Sequence, residues 1–576
     1  MANFGKIYES SWWGEGVCAN TVGWGSSYKS IANCSDASFS YAEASYAKNG
    51  TDPTPTITGD AGGTFTATPA GLSINSSTGE VTLSTSTINS YTVKYTLSDG
   101  TFTTQTLGIT AASFSSTKSM AYDGVDDEIT LGSLEVNTDE AWSVSFWANL
   151  DSFSSATYPG VFKLKTDESS GFCCFFSDTG SYKGINFGAN SFENIKTDGD
   201  ISASLVGAWN NIILTYNGSG KTTLGNYSIY VNGSPVTAVA SGAYGSVTNV
   251  SLIGDVTQRF NGNVDEFAVF QGTELTSGNA TSIYNSGSPN NLDDLSTPPT
   301  AWYRMGENGS WKSPQWLLPE NSNKDKISNY SFNFDGIDNE FSFGDIPFLR
   351  NGGSYFSISA WVLTTHITQA GYWKCRSATP DQMLLIRDTN RRCRFSIKSS
   401  TGGNIYVVSD GFDTIPTNTW THIVATFDGT QSTATDKLKL YINGAYVSQT
   451  VTGSGTNLPQ GSLTIVNEIG STPLLNTGKI NNVAIWDSTL TAANATTLYN
   501  SGTPVDILTL SPTTGWKLGE DATFSTNWTV PDAVGSFDAT SANMTVEDRV
   551  GDAPNSSNNS VSYNMDEVDR ETDVPS

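Results

Sequence analysis

The chain has 576 residues, too many for one hydrophobic core and enough for about three to five domains of ordinary size. Only 15% of the residues are charged and 55 are glycine, which favours short strands joined by many turns. Its 56 acidic and 29 basic residues give a formal net charge of −27, which repels phosphate backbones and argues against nucleic-acid binding.

The sequence offers no segment for membrane insertion or export. No apolar run approaches the roughly 18 to 20 residues that span a bilayer. The opening MANFGKIYESSWWGEG also lacks the basic and apolar regions of a signal peptide. We therefore expect a protein that is made in a host cytoplasm without a signal peptide.

Residues 1–45 are rich in aromatic side chains, including Trp12, Trp13 and Trp24, among glycine and serine. A segment this short cannot bury them in a core of its own. The pattern predicts an N-terminal anchor that docks on a partner particle. A strand folded back on the next domain of the same chain is the alternative.

Residues 46–113 predict a small β domain. Tyr91, Val93 and Tyr95 alternate with polar residues, and glycines mark the turns between the predicted strands. The segment resembles the immunoglobulin or cadherin-like modules that bacterial and phage proteins place in series. Such modules usually act as rigid spacers.

Residues 114–300 and 301–520 carry an internal duplication. MAYDGVDDEITLG from Met120 returns as FNFDGIDNEFSFG from Phe332, and five further blocks follow in the same order. These blocks are WSVSFW with FSISAW, AWNNIILTYNG with TWTHIVATFDG, YSIYVNG with LKLYINGAYV, FNGNVDEFAVFQGTELT with NTGKINNVAIWDSTLT, and SIYNSGSP with TLYNSGTP. Six collinear blocks predict two domains of the same topology.

Most blocks alternate as strands do, and Asn232-Gly233 is a hairpin signal. The exception is Leu490 to Gly502, where alanines follow the N-cap candidate Thr491 and predict one short helix. Many strands, one helix and no alternation of strands with helices predict an all-β protein of two tandem antiparallel jelly-roll sandwiches, preceded by the small immunoglobulin or cadherin-like domain.

The order of these blocks resembles the laminin G-like, concanavalin A-like family. That family includes lectins, adhesion modules and glycanases, so the resemblance implies a fold more strongly than an activity. AWYRMGENGSW from Ala301 resembles the opening strand of the second copy. GWKLGEDATFSTNW from Gly515 looks like the start of a third copy that is not completed.

Residues 521–576 predict an acidic C-terminal tail. From Val546 onward the segment holds eight acidic and two basic residues, a composition typical of disorder. Its NMDE-type ending, together with the KIYESSWWG opening, resembles marine tailed-phage virion proteins.

No catalytic residue can be assigned. Asp265 and Glu266 are adjacent and so point to opposite faces of a strand, and Asn481 and Asn482 replace them in the second copy. His422 occupies the position of an asparagine in the first copy. We therefore expect a protein that is not an enzyme.

Calcium is the one cofactor that the sequence suggests. Carboxylates on a turn are ligands that calcium prefers, but the same acids can instead accept backbone N–H bonds in Asx turns. Related sandwiches often hold an ion near such loops. The candidate ligands are Asp123, Asp126 and Asp127 in the first copy and Asp335 and Asp338 in the second.

The six cysteines lack zinc-ligand spacing. Cys18 could pair with Cys34, and Cys375 could pair with Cys393. Free buried thiols are the expectation.

We interpret the chain as a non-enzymatic virion structural protein, such as a fibre, spike or head decoration, on the virion surface. Its partners would be other virion proteins in a multi-copy assembly or homo-oligomer, and host surface glycans. A cement or scaffold subunit, a secreted bacterial adhesin and a glycan hydrolase are the alternatives. The glycan-binding residues are unknown, although Tyr372 and Trp373 lie in a candidate loop insertion where core packing explains them equally well.

Overall fold

The computed structural model describes most of the chain and forms two compact units, residues 1–115 and 116–576. Trp12 and Trp13 lie outside the described residues, so their anchoring role stays a prediction. The described residues are 22–24, 27–29, 35–48, 50–110, 114–132, 134, 136–137, 139–153, 160–167, 170–178, 183–189, 195–220, 223–240, 252–253, 260–365, 369–376, 381–401, 403–460, 466–470 and 475–575.

The first unit consists of short strands. They are β1 (Val22–Trp24), β2 (Ser27–Lys29), β3 (Phe39–Ser40), β4 (Ser45–Ala47), β5 (Thr56–Ile57), β6 (Thr64–Thr68), β7 (Asn89–Thr96) and β8 (Phe102–Thr110). Strands β4-β8-β7-β6 form one sheet, and β3 pairs with β5. Tyr91, Val93 and Tyr95 are buried between polar neighbours, as predicted. The immunoglobulin or cadherin-like assignment stays a prediction.

The second unit begins with sandwich 1. Its elements are β9 (Ser119–Asp123), β10 (Glu128–Thr130), β11 (Trp142–Leu150), β12 (Gly160–Asp167), β13 (Ser170–Asp178), β14 (Lys183–Ala189), β15 (Ile195–Thr197), α1 (Ser202–Leu205), β16 (Trp209–Tyr216), β17 (Tyr227–Val231), β18 (Ser234–Val236), β19 (Ala238–Ala240), β20 (Leu252–Ile253), β21 (Asn261–Gln271), α2 (Ser277–Tyr284), β22 (Ala301–Tyr303), β23 (Ser310–Lys312) and β24 (Gln315–Leu318).

Sandwich 2 follows with the same series. Its elements are β25 (Ser331–Asp335), β26 (Glu340–Ser342), β27 (Tyr355–Thr364), β28 (Ala370–Arg376), β29 (Asp381–Arg387), β30 (Cys393–Lys398), β31 (Asn404–Ser409), β32 (Thr421–Asp428), α3 (Ala434–Lys437), β33 (Leu438–Ile442), β34 (Ala445–Tyr446), β35 (Gln449–Gly453), β36 (Val466–Ile469), β37 (Thr477–Trp486), α4 (Ala492–Tyr499), β38 (Thr514–Trp516), β39 (Thr523–Phe524) and β40 (Trp528–Val530). The last strands are β41 (Ala539–Ala542), β42 (Arg549–Val550), β43 (Ser560–Tyr563) and β44 (Arg570–Glu571).

The two sandwiches have the same topology, which confirms the prediction from the duplicated blocks. Each packs a 10-stranded sheet on an 8-stranded sheet. The larger sheets run β19-β15-β14-β13-β12-β20-β10-β43-β24-β23 and β35-β31-β30-β29-β28-β36-β26-β41-β40-β39. The smaller sheets run β18-β17-β16-β11-β21-β9-β44, with β22 on β21, and β34-β33-β32-β27-β37-β25-β42, with β38 on β37.

Local signals in the sequence place the hairpins and helices. Asn232 and Gly233 both adopt positive φ, at 51° and 72°, and join β17 to β18 in a tight hairpin. The predicted helix forms as α4, where the Thr491 side chain accepts the N–H of Asn494 in a capping box. The helix ends at Asn500 in the left-handed region, two residues before the predicted glycine.

Apolar side chains from both sheets fill each sandwich. Tyr372 and Trp373, which the sequence left open as loop aromatics, are buried in the core of sandwich 2 on β28. Trp361 stacks on Tyr499 of α4, with ring centroids 5.8 Å apart, so the helix covers the outer face of the 8-stranded sheet. Cys393 is a buried free thiol, in line with the expectation of free buried thiols, and the alternative pairing with Cys375 does not form.

Residues 521–575 differ from the expected acidic tail, because they supply strands to both sandwiches. Strands β39 to β42 complete sandwich 2, and β43 and β44 complete sandwich 1. The expected third copy from Gly515 is likewise part of sandwich 2 through β38. These strands satisfy sheet edges that would otherwise be unpaired, which outweighs the tendency of an acidic segment to remain disordered.

Candidate functional sites

The acidic turn of sandwich 1 holds three predicted calcium ligands. One Asp123 carboxylate oxygen accepts the N–H groups of Val125 and Asp126, at 2.6 and 3.4 Å, as in an Asx turn. Candidate ligand oxygens of Asp123, Asp126 and Asp127 lie within 4.8 Å of one another. Burial, followed by the charges of neighbouring acids, raises the pKa of Asp127 to about 7. This set of hard oxygens fits a divalent cation, so calcium stays a prediction here.

The matching turn of sandwich 2 is organised by hydrogen bonds. One oxygen of Asp335 accepts the N–H groups of Ile337, Asp338 and Asn339, at 2.8, 3.3 and 3.4 Å. Asn339 stands where sandwich 1 has an aspartate. Within the described part of the chain, the turn of sandwich 1 is the one that gathers three acidic ligands. The calcium prediction for Asp335 and Asp338 therefore has less geometric support.

Phe412 is the most exposed aromatic side chain among the described residues, at 68%. It lies in the loop between β31 and β32. The guanidinium carbon of Arg391 lies 5.6 Å from its ring centroid, and the Arg391 Nε lies 3.1 Å from a carboxylate oxygen of Asp413. The backbone of Ile415 donates to the Arg391 carbonyl at 3.0 Å, which ties this loop to the β29–β30 turn. The result is an aromatic face flanked by an arginine and an aspartate.

Sequence reasoning missed this site, and one signal could have found it. In sandwich 2, SDGFDTI contains Phe412 between Gly411 and Asp413. In sandwich 1 the matching segment is TDGDI, in which Asp200 follows Gly199 directly. Phe412 and Thr414 therefore have no counterpart in this segment of sandwich 1, and an exposed apolar residue that is present in only one copy favours a contact role over packing.

The acids with the best claim to catalysis are buried and bonded. A carboxylate oxygen of Asp265 accepts the Ser116 hydroxyl at 2.5 Å. Glu266 accepts the indole N–H of Trp302 at 2.7 Å and pairs with Arg304 at 3.3 Å. Burial raises the pKa of both carboxyls. Both side chains therefore support the fold around β21 and do not face an open groove.

His422 has a comparable structural setting. Its Nε2 lies 2.8 Å from the Ser359 hydroxyl, and its ring contacts both Trp361 and Tyr499, with centroids 4.8 and 6.2 Å away. Burial lowers its pKa to about 3, so the ring is neutral at physiological pH. The pair resembles a nucleophile and base in residue type, but both side chains are buried and line only a small pocket, to which Leu498 of α4 also contributes.

Residues 539–554 and 560–575, named tail repeat 1 and tail repeat 2, share one pattern. Both read S-x-N-M-x-x-x-D-R-x-x-D-x-P, from Ser541 and from Ser562. The acidic composition conceals this repeat, and only the spacing of its residues reveals it. Tail repeat 1 supplies β41 and β42 to sandwich 2, and tail repeat 2 supplies β43 and β44 to sandwich 1.

These strands occupy equivalent places in the two sandwiches. Strand β41 lies between β26 and β40, and β43 lies between β10 and β24. Strands β42 and β44 then pair with β25 and β9 in the opposite sheets. Each repeat therefore crosses from one sheet to the other, in a groove that we call cleft 1 in sandwich 1 and cleft 2 in sandwich 2.

The two sandwiches match a family model described as the concanavalin A-like lectin/glucanases superfamily, over residues 123–279 and 334–496. The chain belongs to this superfamily. The laminin G-like domains of the family fit a binding or adhesion role. No curated protein sequence matches the chain.

Three solved structures are similar in fold. A putative carbohydrate-binding protein from Bacteroides ovatus is 12% identical, covers 76% of this chain and 99% of its own, and has a TM-score of 0.30. Domains LG4-5 of the mouse laminin alpha1 chain are 12% identical over 67% of this chain and 92% of theirs, with a TM-score of 0.22. A SAP-like pentraxin from Limulus polyphemus is 14% identical over 30% and 83%, with a TM-score of 0.24.

No helix among the described residues is long and apolar enough to cross a membrane.

Proposed function

We propose that this chain is a non-enzymatic adhesion protein that binds carbohydrate through the Phe412 loop of sandwich 2 and is displayed on a virion surface. The exposed Phe412 ring, with Arg391 and Asp413 beside it, carries the carbohydrate part of the proposal. The resemblance of the opening and ending segments to marine tailed-phage virion proteins supports the location.

The chemistry of the loop suits a sugar. An exposed aromatic ring packs against the apolar C–H face of a pyranose, and the charged groups at its edge bond the hydroxyls. Arg391 offers N–H donors and Asp413 offers acceptor oxygens, which together match a hydroxyl that both donates and accepts. A solvated surface loop also leaves the contact weak, which suits adhesion by many copies.

Burial of the candidate acids supports the absence of hydrolysis. Glycoside hydrolysis needs two carboxyl groups on either side of a bound sugar. Asp265 is fully buried, and Glu266 is 3% exposed and engaged by Trp302 and Arg304. We expect no turnover of any glycan bound at the Phe412 loop.

The test uses a glycan array with the labelled full chain, followed by calorimetry on the glycans that bind. Deleting Phe412 removes the exposed ring that sandwich 1 lacks and should weaken binding by at least about tenfold, the size of a modest aromatic hot spot. Tyr446→Ala is the matched control, because it removes another exposed aromatic ring of sandwich 2. Equal binding by the wild type and the deletion variant would contradict the proposed site.

The location is tested separately by mass spectrometry and immunogold labelling of purified particles. We expect the chain on the particle surface in many copies. Its presence only in the particle-free fraction would contradict display on a virion while leaving carbohydrate binding intact.

A further inference from the structure

Serines and tryptophans form the same contacts in both clefts. The Ser541 hydroxyl oxygen accepts the backbone N–H of Trp528 at 2.8 Å, and Ser562 accepts that of Trp316 at 2.8 Å. The indole N–H of each tryptophan donates to a backbone carbonyl of the tail repeat, at 2.7 and 2.9 Å. Each cleft therefore fixes the register of its repeat by two hydrogen bonds from one tryptophan.

The arginine of the pattern lies over the same tryptophan. The guanidinium carbon is 4.4 Å from the ring centroid for Arg549 over Trp528 and 5.1 Å for Arg570 over Trp316. Each guanidinium also donates to a backbone carbonyl of its sandwich. The asparagines add one bond each, from Asn543 to the Asp338 carbonyl and from Asn564 to the Asp126 carbonyl, both at 3.1 Å.

The last aspartate of the pattern bonds a second tryptophan in each sandwich. Asp552 accepts the indole N–H of Trp420 at 3.3 Å, and Asp573 accepts that of Trp209 at 2.9 Å. Asp573 also accepts an amide N–H of Asn149 at 3.1 Å. Serine, arginine and aspartate of one peptide are thus recognised in the same way by two different sandwiches, so recognition depends on the pattern and not on the particular copy.

We propose that cleft 1 is a peptide-binding site that takes tail repeat 2 from a second copy of this chain as well as from its own. The ligand is an extended peptide of the pattern S-x-N-M-x-x-x-D-R-x-x-D-x-P. A second copy offers the same atoms as the chain's own repeat, so exchange preserves every contact within the cleft. Binding of the chain's own repeat and binding of the repeat of a second copy differ only in the effective concentration of the repeat and in the path of the segment that tethers it.

Cleft 1 exchanges its peptide more readily than cleft 2. The side chain of Arg549 is fully buried, whereas Arg570 is partly exposed. Val568 is 78% exposed, and Asp573 is exposed as well. Segments with less buried surface open locally at lower free energy, so tail repeat 2 leaves its cleft more often.

Two chains, each with one introduced cysteine and with the six native cysteines replaced by alanine, test the exchange. One full chain carries Asn149→Cys and the other carries Asp573→Cys, because these side chains touch in cleft 1. When the two chains are mixed in a glutathione redox buffer, they should form at least about tenfold more disulfide-linked dimer than either variant forms alone. The control mixes Ser331→Cys with Val550→Cys, which are cross-strand neighbours in cleft 2, and should give little dimer.

A chain with both Asn149→Cys and Asp573→Cys checks the geometry, since it should crosslink within itself. If it does and the mixture gives no additional dimer, cleft 1 does not take a second copy and the proposal is wrong. If the chain with both cysteines does not crosslink, fluorescence anisotropy of a labelled peptide of residues 560–575 tests whether cleft 1 binds the repeat. Saturable binding to the full chain with Arg570→Ala supports the proposal, and no binding to that folded variant overturns it. Neither result depends on glycan binding.

Discussion

Sandwich 1 and sandwich 2 share strand order, helix position and closing peptide, yet their closing contacts differ in depth. Arg549 is buried over Trp528 in sandwich 2, while Arg570 over Trp316 in sandwich 1 is partly exposed. The comparison separates two properties of a strand contact. The pattern of hydrogen bonds fixes which peptide fits, and the buried area determines how firmly it is held.

The largest effect is expected when each of these two arginines is replaced by alanine in turn, which tests whether burial explains the difference. Arg549→Ala should destabilise sandwich 2 by about 3 kcal/mol, because a desolvated cation–π contact and a charged hydrogen bond are lost together. Arg570→Ala should cost sandwich 1 about 1 kcal/mol, since water replaces part of its contact. Hydrogen exchange of β25 and β9, read by mass spectrometry, reports the two effects separately. Equal losses in both sandwiches would mean that burial does not explain the difference.

A second test uses the histidine that only sandwich 2 has at this position. Burial lowers the pKa of His422 to about 3, so the unfolded chain binds a proton below about pH 6.5 and the folded chain does not. His422 by itself should therefore cost sandwich 2 about 2 kcal/mol of stability from pH 7.5 to pH 5, measured as the difference between the wild type and a variant without the histidine, because the raised pKa of the buried Glu520 acts in the opposite direction. His422→Asn, which copies Asn211 of sandwich 1, should remove this dependence. Denaturant unfolding at several pH values measures it, and an unchanged slope in the variant would contradict the assignment.

The smallest expected effect concerns calcium. If the acidic turn of sandwich 1 binds the ion, millimolar calcium should raise the stability of the wild type by about 1 kcal/mol through mass action. Asp127→Asn, which copies Asn339 of sandwich 2, should lose this gain, and Asp338→Asn should keep it. Thermal unfolding with calcium and with chelator measures the difference. Stabilisation of all three proteins alike would place the ion elsewhere.

Much of the fold could be predicted because hydrophobic alternation and turn signals are local. The hairpin at Asn232 and the capping box at Thr491 depend on neighbouring residues only. The partners of tail repeat 2 could not be predicted in this way, because they are distant in the sequence. The Ser119 hydroxyl, for example, donates to the backbone carbonyl of Asp573, 454 residues later. The acidic composition of this segment predicts disorder. The segment is ordered because it pairs with strands of sandwich 1 that are distant in the sequence.

The candidate site shows a second limit of sequence reasoning. Tyr372 and Trp373 are large aromatic residues that could have lain in a loop, but both are buried on β28, where the register shifts between Gly371 and Trp373. Phe412 has the same apolar character but is exposed, and it has no counterpart in the matching segment of sandwich 1. Comparing the two copies residue by residue distinguishes these cases, whereas the residue type alone does not.

The inverted order of the closing peptides has a consequence for synthesis on the ribosome. Sandwich 1 is made first, but its strand β9 pairs with Arg570 and its strand β10 with Tyr563. Until those residues emerge, the nascent domain presents open sheet edges and an incomplete core for most of the time that translation takes. Sandwich 2 receives its own closing peptide earlier, although it begins later. Sandwich 2 is therefore completed before sandwich 1. A cell with abundant chaperones would suit a protein whose first domain is the last to close.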